Sequence, residues 1–276
     1  MGTALVTGAT SGLGLEFAWQ LATARHDLVL VARDAERLER LAVQLRAAAG
    51  VEVEVLSADL SVRADVERVA ERLGDGDRPV GLLVNNAGFG LGVPFLESDV
   101  ADQERSLEVM VRAVLVLSHA AGRAMVARGR GAILNVSSVA SLLAGGTYSA
   151  HKAWVRSFTE GLAAELRGTG VTATVVCPGL VRTEFHERAG IDLDTAPEAL
   201  WLRPERVVSE ALAAVRRGSV INTPSTRYRV VAGTIRTLPR SAVRAFERTR
   251  PDRKARGGAT EATPATDSTA EPTPTE

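Results

Sequence analysis

The chain lacks most of what would tie a protein to an oxidising compartment, a membrane or a nucleic acid. Its 276 residues include one cysteine, Cys177, so no internal disulfide can form. A lone thiol fits a reducing compartment, and the cytoplasm is the expected location. Lysines and arginines number 33 and aspartates and glutamates 33, which leaves no global field to recruit nucleic acid. No uninterrupted apolar run reaches membrane-spanning length, and no basic stretch precedes an apolar core at the start, so neither a span nor a leader is expected. What is present is ordinary: 45% hydrophobic residues, enough to bury a sizeable core without disulfides or metal. One domain with a tail is the default organisation, and no metal site is expected.

The order of the first residues carries more. Thr3 to Val6 is an apolar run of strand type that breaks into Thr7-Gly8-Ala9-Thr10-Ser11-Gly12-Leu13-Gly14. A helical pattern follows through Leu15, Ala18, Trp19 and Leu21. Strand, glycine turn and helix together suit a phosphate. Residues without Cβ let the backbone approach a pyrophosphate, and the helix N-terminus faces its charge. Gly8, Thr10, Ser11, Gly12, Leu13 and Gly14 are therefore candidate cofactor contacts. Their Gly-x-x-x-Gly-x-Gly spacing departs from the Gly-x-Gly-x-x-Gly of many dinucleotide folds. Thr-Gly-x-x-x-Gly-x-Gly directly after the first strand resembles the short-chain dehydrogenase/reductase family.

Strand and helix patterns then alternate to about residue 222. Asp27 to Ala32 reads as a second strand, Asp34 to Ala49 as a helix ending at Gly50, and Val51 to Leu56 as a third strand with Glu52 and Glu54 pointing outward. Asp59-Leu60-Ser61 is read as opening the next helix, and Val80 to Val84 as the fourth strand. Apolar strands separated by helices predict an α/β fold, a Rossmann-type doubly wound parallel sheet with helices on both faces. Arg33, at the tip of strand two, stands where such a fold reads the adenosine ribose. Arginine there pairs with the 2′-phosphate of NADP, whereas an acidic residue binds the 2′-hydroxyl of NAD. NADP(H) is favoured on this charge argument and NAD(H) stays possible, because adjacent Asp34 is either an NAD reader or an N-cap.

The resemblance to short-chain dehydrogenases extends along the chain. It implies that Asn86, Ala87 and Gly88, in the Asn85-Asn86-Ala87-Gly88 strand end, line the cofactor, and that Asp59 and Leu60 lie against adenine. Leu107 to Val126 reads as one helix, apolar over much of its circumference and so buried in the core or at a subunit contact. The family usually carries an asparagine in this helix that kinks it and holds a relay water; Met110 occupies that position. A homodimer or homotetramer is the expected assembly.

Gly131 to Val136 is the fifth strand, and past it comes Tyr148-Ser149-Ala150-His151-Lys152 at the start of a helix. Residues four apart on a helix share a face. A free phenol has a pKa near 10, and a neighbouring ammonium brings its proton within range of neutral pH. Tyr148 and Lys152 therefore form a candidate proton-transfer pair. Tyr-x-x-x-Lys after a serine at a strand end is the family's active-site pattern; Ser138 is the serine chosen, with Ser137 as alternative. The resemblance implies that Tyr148 exchanges the proton, Ser138 holds the substrate oxygen, and Lys152 binds the nicotinamide ribose. His151 is expected to face solvent and Cys177 to sit in the core.

Val171 to Cys177 is strand six, followed by Pro178-Gly179-Leu180-Val181-Arg182-Thr183. This resembles the family's Pro-Gly turn, which implies cofactor contacts at Pro178, Gly179, Val181 and Thr183. Residues 185–203, apolar but irregular, read as a substrate lid. Residues 1–225 are taken as the cofactor-binding and catalytic domain. In 226–250, Tyr228 to Arg250 holds six arginines among apolar residues. This segment could meet an anionic membrane, although packing on the chain's own core is favoured. Residues 251–276, rich in Pro, Thr and Glu, read as a disordered tail. The expected activity is hydride transfer between a nicotinamide and a small, lipophilic alcohol or carbonyl substrate. The alternatives are a dinucleotide-binding sensor or scaffold that has lost catalysis, and a reaction such as epimerisation without net redox change.

Overall fold

Each early strand places alternate side chains on opposite faces, and both faces are apolar. In β1 (Thr3–Thr7), Ala4 and Val6 join one core while Leu5 joins another. In β2 (Asp27–Ala32), Leu28 and Leu30 divide from Val29 and Val31 in the same way. A strand apolar on both faces must be covered twice. The computed structural model, which describes residues 2–185, 189 and 197–249, shows that covering.

Seven strands form one sheet in the order β3-β2-β1-β4-β5-β6-β9, every pair parallel. The other members are β3 (Val53–Ser57), β4 (Val80–Asn85), β5 (Gly131–Val136), β6 (Val171–Val176) and β9 (Ile221–Asn222). One face is covered by α1 (Gly12–Thr23), α2 (Ala35–Ala49) and α7 (Pro204–Arg216), through Phe17, Leu21, Leu38, Leu45 and Val208. The other carries α3 (Arg63–Gly74), through Val66, Val69 and Leu73, and α5 (Ala113–Ala127), through Leu117 and Met125. The expected doubly wound architecture is therefore the observed one, and it directs the carboxyl ends of β1, β4, β5 and β6 toward one crevice.

Several boundaries differ from the sequence reading. Strand three begins at Val53 rather than Val51. Asp59-Leu60-Ser61 does not open α3: Asp59 Oδ1 accepts from the Ser61 N–H at 2.9 Å and hydroxyl at 2.7 Å, closing a turn, and α3 starts at Arg63. The helix read as Leu107 to Val126 begins earlier, as α4 (Val100–Leu107), because the Asp99 carboxylate accepts the Ala101 N–H and caps it. A π turn, Glu108–Arg112, then leads into α5.

This composite helix, Val100–Ala127, is long and apolar enough to cross a bilayer. Its burial of Ala113, Leu117, Ala121 and Met125 against the sheet gives that apolarity another use. The 226–250 segment forms α8 (Thr226–Thr237) and α9 (Arg240–Thr249), which bury Tyr228, Ala232 and Val243. Residues 251–276 and most of the expected lid lie outside the described residues.

Candidate active site

The glycine turn is fastened where it leaves β1. Gly8 and Ala9 donate backbone hydrogen bonds to Val31 O at 2.8 and 3.2 Å, which ties the turn to β2. Gly8 and Gly12 have φ of +67° and +53°, conformations in which an L side chain is strained. Gly14 is needed for space: a Cβ there would lie 2.1 Å from Gly8 O and 2.5 Å from Asn86 Nδ2. The first turn of α1 contains no acidic residue, so nothing there offsets its positive end. A cradle of bare backbone at a helix N-terminus fits a pyrophosphate. Gly14→Ala should lower stability by about 1–3 kcal/mol through overpacking and weaken nucleotide binding with it. Thermal denaturation and nucleotide titration of the variant check this, and a wild-type melting temperature would show that the turn can give way.

The end of β4 is bound to the end of β1. Asn86 Nδ2 donates to Thr7 O at 2.9 Å, and Thr7 Oγ1 accepts the N–H groups of Asn86 and Ala87 at 3.0 Å each. Below them runs a buried polar chain: Asn85 Nδ2 donates to Ser118 Oγ at 3.1 Å and to Asn135 Oδ1 at 2.9 Å, and Asn135 Nδ2 donates to Thr159 Oγ1 at 2.9 Å. Thr7 and this network escaped the sequence reading. Their one available signal was polar residues inside otherwise apolar strands.

The structure separates the two candidate serines. Ser137 is buried and donates to Lys152 O at 2.7 Å, bracing α6 (Gly146–Glu165) against β5. Ser138 is partly exposed; its Oγ accepts the Ala140 N–H at 3.1 Å and donates to Pro178 O at 3.4 Å. Lys152 Nζ lies 5.7 Å from the centroid of the Tyr148 ring and donates to Val136 O at 2.8 Å. Burial pulls the lysine down to about 8, so it remains cationic at neutral pH. Phe185 stands across from Tyr148, ring centroids 5.8 Å apart.

His151 is the clear correction. It is 7% exposed rather than solvent-facing, with Nδ1 3.4 Å from Ser106 Oγ on α4. Burial, and then the charge of Lys152, lower its pKa, so the imidazole is neutral beside the ammonium. Cys177 is buried, as expected. Met110 is 1% exposed inside the π turn, so the helix is distorted there without an asparagine, and its side chain offers no strong hydrogen bond. Gly88 faces this corner: a Cβ on it would lie 3.3 Å from Met110 Sδ and 3.5 Å from Lys152 Nζ.

The remaining candidates occupy the rim. Arg33 is exposed at the end of β2, its carbonyl held by Ser57 Oγ at 3.0 Å. The Asp34 side chain accepts the Arg37 N–H at 2.9 Å as the N-cap of α2. Arg37 itself reaches Thr10 O at 3.3 Å. Leu60 is buried in the core beneath α3, so its side chain serves packing. Val181 is buried with Leu202 and Tyr228 at the base of the expected lid, where β7 (Leu180–Val181) pairs with β8 (Trp201–Leu202). Thr183 comes over the glycine turn, its Cβ 3.4 Å from where a Cβ on Gly12 would lie. The ends of β1, β4, β5 and β6 thus bring Gly8 to Gly14, Asn86 to Gly88, Ser138 and Thr183 to one crevice, with Tyr148 and Lys152 entering from α6.

This arrangement belongs to a recognised class. Residues 2–193 match the short chain dehydrogenase family, and the chain belongs to it. Sulfoacetaldehyde reductase 2 of Chromohalobacter salexigens is 38% identical over 203 residues, 71% of this chain and 79% of that one. A short-chain dehydrogenase from Sphingobium yanoikuyae, solved in complex with NADPH, superposes with a TM-score of 0.78 at 37% identity, covering 86% of this chain and 94% of that one. A family member from Burkholderia phymatum, solved with NAD, gives a TM-score of 0.73 at 29% identity and covers 85% and 92%. The protein is thus an oxidoreductase of the short-chain dehydrogenase class.

Proposed function

We propose that this protein is an NADP(H)-preferring oxidoreductase that interconverts a lipophilic alcohol and its carbonyl compound. The observation that carries this reading is the Tyr148–Lys152 pair on one face of α6, with the ammonium 5.7 Å from the phenol ring and buried beside Gly88. The nicotinamide cofactor would supply or accept the hydride. Tyr148 would give its proton to the carbonyl oxygen in reduction and take one from the hydroxyl in oxidation. Ser138 would hold that oxygen by a hydrogen bond, and Lys152 would favour the phenolate by its charge. Gly8 to Gly14, Asn86 to Gly88 and Pro178 to Thr183 would hold the cofactor, and Phe185 beside Tyr148 supports an apolar substrate.

Arg33 supports the preference for NADP(H). Arg33 is exposed just past β2, where its guanidinium would meet a 2′-phosphate, while the neighbouring Asp34 side chain is engaged in capping α2. Fluorescence titration with NADPH and NADH tests this directly. Wild type should bind NADPH more tightly, and Arg33→Ala should weaken NADPH binding about tenfold or more, the scale of one charge-assisted contact, with little change for NADH. Equal affinities that Arg33→Ala leaves unaltered would refute the preference. A panel of apolar ketones and aldehydes then tests turnover.

A further inference from the structure

We propose that Tyr228, outside the family match, is a positioning residue that sets Ser138 and Thr183 in place through the Pro178–Leu180 turn. It rests on the redox reading above for its kinetic consequences. Tyr228 is 7% exposed on the first turn of α8, and its ring lies flat where Gly179 has no side chain. A Cβ on Gly179 would fall 1.9 Å from Tyr228 Cζ, so the glycine answers to this ring as well as to any cofactor. The phenol oxygen accepts the Leu180 N–H at 3.0 Å and donates to Leu200 O at 2.8 Å. One hydroxyl thereby joins the two ends of the 181–200 segment, beside the β7–β8 pairing. Arg227, the preceding residue, also donates to Ala199 O.

The turn so held carries groups of the site on both sides. Upstream, Pro178 O accepts the Val139 N–H at 2.9 Å and the Ser138 hydroxyl at 3.4 Å. Downstream, the chain runs through Val181, packed on Tyr228, to Thr183 over Gly12. A shift of Gly179 therefore moves the carbonyl that orients Ser138 and the threonine that covers the glycine turn. From the same direction, Arg240 donates to Leu142 O at 3.0 Å, in the short helical turn that Ser138 opens. The two C-terminal helices thus buttress both loops of the candidate site.

Tyr228→Phe separates this role from packing, because it keeps the ring on Gly179 and removes only the bridging hydroxyl. On the full chain without nucleotide, hydrogen exchange at Leu180 should accelerate about tenfold, since a partly buried N–H loses its partner. The Kd for NADPH and the KM for a carbonyl substrate should rise by about the same factor. Gly179→Ala, which pushes on the ring from the other side, should give the same signature. Ile133→Val, a core truncation in β5 that lowers the melting temperature, should move none of these quantities. Tyr228→Phe that lowers only the melting temperature, with Leu180 exchange, Kd and KM at wild-type values, would overturn the proposal. If the wild type binds neither nucleotide, the redox reading fails on its own. Exchange at Leu180 then decides the clasp, which stands if exchange is faster in Tyr228→Phe and falls if it is unchanged.

Discussion

Replacing Tyr148 by phenylalanine is expected to lower turnover by about a thousandfold, within the 10²–10⁴ range that a positioned general acid contributes, while NADPH binds as before. The substitution removes one oxygen from a ring held against Phe185, so folding should be unaffected. In the reaction proposed above, that oxygen carries the one proton exchanged with the substrate oxygen. Ser138 is assigned only to hold that oxygen by a hydrogen bond, because a neutral aliphatic hydroxyl gives up its proton far less readily than a phenol beside an ammonium. Steady-state kinetics on an accepted carbonyl, paired with nucleotide titration, decide the matter. Activity within tenfold of wild type would mean that another group handles the proton.

Lys152→Met should abolish most turnover and yet make the protein more stable at neutral pH. Lys152 is 5% exposed, and among the described residues no carboxylate forms a salt bridge with it. Burial shifts its pKa from 10.5 to about 8. At about 1.4 kcal/mol per pKa unit, the fold carries a cost of roughly 3 kcal/mol to keep the ammonium charged. Methionine removes that cost and gives up the hydrogen bond to Val136 O, worth about 1 kcal/mol. The net gain of about 2 kcal/mol corresponds to a rise of roughly 4–8 °C in melting temperature.

The pH dependence follows from the direction of the shift. Because the folded pKa is the lower one, the unfolded chain binds more protons between about 8 and 10.5. Wild-type stability therefore rises with pH across this window, and the advantage of Lys152→Met should shrink toward its upper end. Thermal melts at pH 7 and pH 10 measure both effects. A variant no more stable than wild type at pH 7 would show that the lysine is better solvated than its burial implies.

What could be read from the sequence was what is local. The glycine turn, the Tyr148–Lys152 spacing and the alternating strands depend on neighbours within a few residues, and each was found where its pattern stood. Readings that depended on what lies opposite were less secure. His151 stands next to Lys152 and looked like a surface residue; the approach of α4, with Ser106 45 residues away, is what the local sequence did not show. The start of α4 was hidden by Asp102, Glu104 and Arg105, a polar first turn that resembles a loop until the Asp99 cap is seen. Ser137 and Ser138 are adjacent and chemically alike, and only the Lys152 carbonyl on one and the Pro178 carbonyl on the other distinguish them. Tyr228 meets Leu180 across 48 residues, and no spacing rule connects them.

The sheet has a kinetic consequence. All of its pairings are parallel, so among the described residues it contains no hairpin that could form early and template the rest. The central pairing of β1 with β4 matches Thr3 to Val80, and every other pairing waits for an intervening helix. Such a chain closes long loops before its interior is rewarded, which places it among slow folders with high contact order. Until β4 arrives, Leu5 and Val6 on one side and Ile133 and Leu134 on the other are apolar edges without partners. The two-sided burial that floors the crevice therefore also leaves apolar edges open to self-association for as long as the sheet is incomplete.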